Sequence, residues 1–142
     1  MLKDAPRRYY RREKGDNMYI YFNPNPKGTR VGDCAVRAVA LATNQDWRQA
    51  YIGIALQGYT DCNMPSANTV WGEYLRRHGF ERRPVADDTT VARFADGHRE
   101  GVYVLALPDH VVTIKDGNVY DSWDSSRETV IYYWERINDE RI

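Results

Sequence analysis

The chain has 142 residues, 42% of them hydrophobic, with 11 Tyr and 4 Trp, which suits one globular domain able to bury a core and still leave a cleft. Its 20 basic and 20 acidic side chains cancel, yet eight basic and three acidic residues fall within residues 1–30, so residues 1–16 read as a basic, solvated extension to a single domain over 17–142. No apolar run suits a secretory signal or a bilayer span, and two cysteines make no disulfide framework, so a cytoplasmic protein with free thiols and no membrane or nucleic-acid partner is expected.

After the basic head, Asn17–Phe22 has the β-branched and aromatic composition of a strand, and Asn23-Pro24-Asn25-Pro26-Lys27-Gly28 breaks it into a loop. A glycine-containing stretch, Gly28 to Asp33, leads into the helix-forming run Cys34–Ala42, with Asp33 placed to cap it by accepting from a backbone N–H two or three residues on. Thr43-Asn44-Gln45-Asp46 stops that helix and caps a second over 47–56, where Trp47, Ala50, Tyr51, Ile54 and Ala55 recur at helical spacing. Ser66 or Asn68 caps a third helix running to Arg77, with Trp71 and Tyr74 as packing residues and His78-Gly79 as its end. A short strand over 80–85 follows, then a brief helix capped by Thr89 or Thr90 and ending at Ala95. From Val102 the pattern changes to strands at 102–107, 110–115, 118–123 and 128–135. Helices first and an antiparallel meander afterwards predict an α+β fold.

Cys34 is the most chemically suggestive residue. A thiol in the first turn of a helix meets unpaired backbone N–H groups and the positive end of the helix dipole, both of which favour thiolate. Asp33 beside it opposes that, so an imidazolium would have to help. His110 opens one predicted strand, and Asp116-Gly117 is a strong two-residue hairpin signal before its return strand. A two-residue turn pairs Lys115 with Asn118 and Val112 with Asp121, which places Asp121 diagonal to His110; a three-residue turn would move Asp121 to the wrong side. Asp124 would point away, and Trp123 is placed either to shelter the His-Asp contact or to join the core. Cys34, His110 and Asp121 are therefore the candidate nucleophile, base and orienting group.

Cys-His-Asp in this order, the thiol at a helix start and the other two on neighbouring strands, resembles the papain-like cysteine peptidase superfamily. More closely, Asn25-Pro26-Lys27-Gly28, Gly32-Asp33-Cys34, Arg37-Ala38, His110-Val111-Val112 and Val119-Tyr120-Asp121-Ser122 resemble a group of small bacterial and phage proteins described as cysteine peptidases; the likeness spans roughly residues 17–135. The resemblance implies a papain-like domain, with the N-terminal helices packed on a C-terminal antiparallel sheet, that hydrolyses a peptide or isopeptide bond in a protein or peptide substrate. One position departs from the pattern: Gly28 stands six residues before Cys34, where papain-like peptidases commonly carry an oxyanion-binding Gln. The donors would then be the Cys34 backbone N–H and a side-chain amide, Asn25 or Asn23, with Asn25 preferred between its two stiffening prolines.

The remaining titratable residues have simpler readings. His78 suits a helix C-terminus, His98 a polar turn and Cys62 a loop or buried thiol. Neither paired Cys/His spacings nor a phosphate-binding glycine motif occurs, so no metal and no cofactor is expected. Two rival functions remain open. The same three residues serve acyl transferases and transglutaminases, and the fold could persist as a non-catalytic scaffold of a phage or bacterium.

Overall fold

A computed structural model describes residues 18–137; the basic head and the last five residues lie outside the described residues. The elements are β1 (Tyr19–Tyr21), α1 (Cys34–Ala42), α2 (Trp47–Asp61), α3 (Asn68–Arg77), β2 (Phe80–Pro84), α4 (Val91–Gly97), β3 (Val102–Leu107), β4 (His110–Lys115), β5 (Asn118–Asp121) and β6 (Tyr132–Arg136). The fold is α+β, with four helices and one six-stranded sheet among the described residues, ordered β1-β5-β4-β3-β6-β2.

The central hairpin follows from local chemistry. Asp116 and Gly117 both take positive φ, 52° and 81°, as a two-residue turn matched to strand twist requires. Lys115 faces Asn118, Ile114 faces Val119 and Thr113 faces Tyr120, the register expected from the sequence. Two other expectations need correction. The sheet is mixed, because β1 joins β5 in parallel, Tyr19 opposite Val119 and Tyr21 opposite Asp121. The last strand does not continue the meander beside β5 but crosses to the far side of β3, with Tyr103 opposite Glu135 and Ala106 opposite Tyr132. The segment expected to begin it, residues 128–130, is instead tied to the start of α4: Val91 N–H donates to Glu128 O at 2.9 Å, and Val130 N–H donates to Thr89 O at 2.8 Å.

Alternation along β3 divides the interior in two. Val104 and Ala106 join Val39, Ile54, Val70, Trp71 and Leu75 in a cluster beneath α1, α2 and α3, whereas Leu105 and Leu107 join Val91, Phe94, Val112 and Ile114 in a cluster beneath α4. Helices therefore cover both faces. Thr113, buried in β4, donates its hydroxyl to Ala38 O at 2.7 Å and pins α1 to the sheet. Helix α2 is longer than expected, ending at Cys62 in a left-handed conformation, and Asp46 with Gln49 makes a reciprocal capping box at its start. Asn68 is not a cap: it is the first residue of α3, and its side chain accepts from Trp71 Nε1 at 3.2 Å and donates to the Tyr132 hydroxyl at 3.1 Å.

Contact between α3 and β6 is close enough to test. A Cβ added at Gly72 would stand 2.8 Å from Trp134 Cζ2, inside van der Waals contact and against a ring held in the core. Gly72→Ala is expected to cost about 1–3 kcal/mol by overpacking, read as a lower urea midpoint than wild type; an unchanged midpoint would show that the ring moves freely.

Candidate active site

His110 opens β4 and Asp121 closes its antiparallel neighbour β5, so both stand at one end of the sheet. The loop before α1 delivers Cys34 to that same end. Asn23 Nδ2 donates to Thr29 O at 3.2 Å, Gly28 takes φ 70°, and Arg30 donates from Nη2 to Ser122 O at 3.2 Å, which ties the loop to the chain leaving β5.

The helix start differs from expectation in a consequential way. Asp33 occupies the N-cap position, but its carboxylate makes no hydrogen bond to the helix N–H groups. One oxygen is ion-paired with Arg37 Nη1, and Oδ2 accepts from Trp47 Nε1 at 2.8 Å. Two charge-assisted or indole donors outcompete a single backbone N–H. The first-turn N–H groups of α1 are thus left without a side-chain cap, and the charge of Asp33, next to Cys34 in sequence, is offset by a guanidinium.

Cys34 is half-buried, and the His110 ring and the backbone N–H of Val111 both act on its sulfur to favour the thiolate. Nε2 of His110 donates to Asp121 Oδ2 at 2.7 Å, which leaves Nδ1 for the sulfur. The Trp123 ring lies 4.8 Å from the imidazole, centroid to centroid, and covers one of its sides. Burial alone would push the Cys34 thiol up, but the hydrogen bond and charge of His110, the Val111 N–H and the charge of Arg37 together hold it below its ordinary value. Burial would likewise lower His110; the bonds to Asp121 and Cys34 prevail and raise it from 6.5 to about 9. Asp121 is held below the usual carboxylate range, since hydrogen bonds from His110 and Ser125 outweigh its burial. At neutral pH these directions favour a thiolate–imidazolium pair.

Every lone-pair direction of Asp121 is used. Oδ2 accepts from His110 and from the Ser125 hydroxyl at 2.6 Å; Oδ1 accepts from Arg37 Nη2 at 3.1 Å and from Ser122 N–H at 2.8 Å. Three participants carried no assigned role in the sequence reading: Arg37, Trp47 and Ser125. Arg37 had a signal, as the one charged residue in the apolar run Cys34–Ala42. Ser125 had none, because its place depends on the turn after β5, where Ala92 N–H donates to Ser126 O at 2.9 Å.

Asn25 is not placed as an oxyanion donor. It is absent from the walls of the cleft beside Cys34, and its side-chain oxygen accepts from Lys27 N–H at 2.8 Å in a local turn. Asp124 lies beyond β5 and binds Ser126. His78 and His98 each bond the main-chain oxygen four residues back, of Tyr74 and Phe94, at 2.8 Å. Cys62 is exposed at the end of α2. Among the described residues no group of three or more His, Cys, Asp or Glu side chains is arranged to hold a metal ion.

The cleft has a volume of about 790 Å³. Cys34, Asp109 and His110 lie on its walls with Val36, Trp47, Tyr51, Ile54, Pro65 and Ile131, and among the described residues no lysine or arginine lines it. Such walls favour apolar groups, with Ser66 and Asn68 as uncharged polar groups among them. Comparison of the chain with protein-family models, curated proteins and solved structures found no match.

Proposed function

We propose that the chain is a papain-like cysteine hydrolase that cleaves a peptide or isopeptide bond next to an apolar residue. The observation that carries this reading is the His110–Asp121 hydrogen bond at 2.7 Å on the wall of an apolar cleft that Cys34 also lines, with His110 lowering the thiol pKa. The Cys34 thiolate attacks the acyl carbon and the carbonyl π electrons move to oxygen. His110 then gives its proton to the leaving amine as the C–N bond breaks, producing a thioester. Water attacks the thioester while His110 takes its proton, and collapse releases the acid and restores the thiolate–imidazolium pair. Asp121 keeps the ring oriented throughout and stabilises its protonated form when that form is present.

The uncapped first turn of α1 supports the backbone N–H of Cys34 as one donor to the developing oxyanion. Transfer to an amine in place of water would use the same residues. No helix among the described residues is long and apolar enough to cross a membrane, in keeping with a site of action in the cytoplasm, which forms part of the proposal.

The test is labelling with a peptide acyl electrophile bearing a bulky apolar residue next to the reactive carbonyl. Wild type should be labelled at Cys34 alone and Cys34→Ala not at all. Equal, slow modification of Cys34 and Cys62 would favour a non-catalytic scaffold.

A further inference from the structure

Arg37 is 6% exposed, one turn along α1 from Cys34, in a helix otherwise built of small and apolar residues. Its guanidinium forks between two carboxylates on separate segments, Asp33 at the helix start and Asp121 at the end of β5. Asp33 is braced from α2 by Trp47, and Asp121 from β4 by His110 and from the following turn by Ser125. The Tyr19 hydroxyl reaches the same place from β1, donating to Asp121 O at 3.2 Å. Arg37 therefore joins the element that carries the sulfur to the group that orients the imidazole.

A buried ion pair is a poor device for stability alone, because desolvation offsets most of the attraction. Geometry and charge balance are what it supplies here. Without the guanidinium, two buried carboxylates would face a single imidazolium, one of them adjoining the thiolate in sequence. An ammonium at the same position could not span both, since the planar fork is what matches two acceptors.

We propose that Arg37 is a positioning residue of the site: it fixes the separation between the Cys34 helix and the His110–Asp121 pair and cancels the charge of Asp33 beside the thiolate. The inference rests on Cys34 being the nucleophile, and it acts through other groups without touching substrate.

The experiment is the pH dependence of Cys34 alkylation by iodoacetamide in the full chain, read by mass spectrometry, with folding checked by thermal melting. Arg37→Met should raise the midpoint by about one pH unit, making reaction on the acid limb roughly tenfold slower. Arg37→Lys should fall between, and Asp33→Asn combined with Arg37→Met should recover most of the shift, because the anion leaves with the cation. A residue that only stabilised the fold would lower the melting temperature and leave the midpoint where it was. A folded Arg37→Met with the wild-type midpoint overturns the role of Arg37 and leaves the nucleophile intact. Should Arg37→Met fail to fold, a wild-type midpoint in Arg37→Lys overturns it equally. An ordinary thiol midpoint in the wild type itself overturns both.

Discussion

Asp121→Ala is expected to lose about 3–5 kcal/mol of stability, because it strips a buried guanidinium of one of its two carboxylate partners and removes the acceptor of Ser125, Ser122 N–H and His110. Urea unfolding measures it. Asp121→Asn separates charge from shape: the cavity stays filled, but the anion that holds His110 protonated is gone. His110 should then fall from about 9 back toward 6.5, and the alkaline limb of any Cys34-dependent activity should move down with it. The sign of the stability effect needs both partners. Taken singly, His110 contributes stability that is present below 6.5 and lost as pH rises to about 9, while Cys34, shifted downward, contributes stability present at high pH and lost as pH falls. In the folded pair a proton has moved from sulfur to imidazole, so between 6.5 and about 9 the folded and unfolded chains bind equal numbers of protons at these two groups. Their joint contribution is flat across that window. Cys34→Ala should uncover the falling limb of His110, seen as stability that declines with rising pH relative to wild type; parallel curves for the two would show that no proton had moved.

His110→Ala should affect Cys34 most at neutral pH. It removes two of the four influences that together outweigh burial, so the thiol should rise toward its ordinary value. Iodoacetamide should then modify Cys34 no faster than the exposed Cys62, whereas in wild type Cys34 should react at least roughly tenfold faster, the rise in thiolate fraction being partly offset by its lower intrinsic nucleophilicity. Turnover of a peptide substrate should fall by about 10²–10⁴, the usual contribution of a positioned acid–base group. Asp124→Asn, on a carboxylate that binds only its own turn, should leave both measurements unchanged.

Where local chemistry decides a feature, the sequence was sufficient. Asp116-Gly117 demands a two-residue turn, the turn demands the β4–β5 register, and that register brings Asp121 within 2.7 Å of His110. Thr90 and Asp46 cap helices because nothing remote competes for their oxygens. Asp33 failed the same reasoning because Arg37 and Trp47, the latter fourteen residues away, are stronger donors than the helix backbone. Asn25 lies off the walls of the cleft, where its amide oxygen closes its own turn. Strand order failed because a three-residue parallel pairing such as β1 with β5, or the choice of β6 between two sheet edges, leaves no periodic trace and is settled by how the layers pack. The candidate triad was therefore legible as three residues, whereas Arg37 was marked only as the single charge in an apolar run, with nothing to say which carboxylates it joins.

The account rests on Cys34 carrying a negative charge at neutral pH while His110 carries the proton. The difference in ultraviolet thiolate absorbance between wild type and Cys34→Ala, followed from acid to alkaline pH, measures that charge directly. The account predicts a difference already developed at neutral pH and weakened there by His110→Ala. A difference that appears only above 9.0, as for an ordinary thiol, would contradict it.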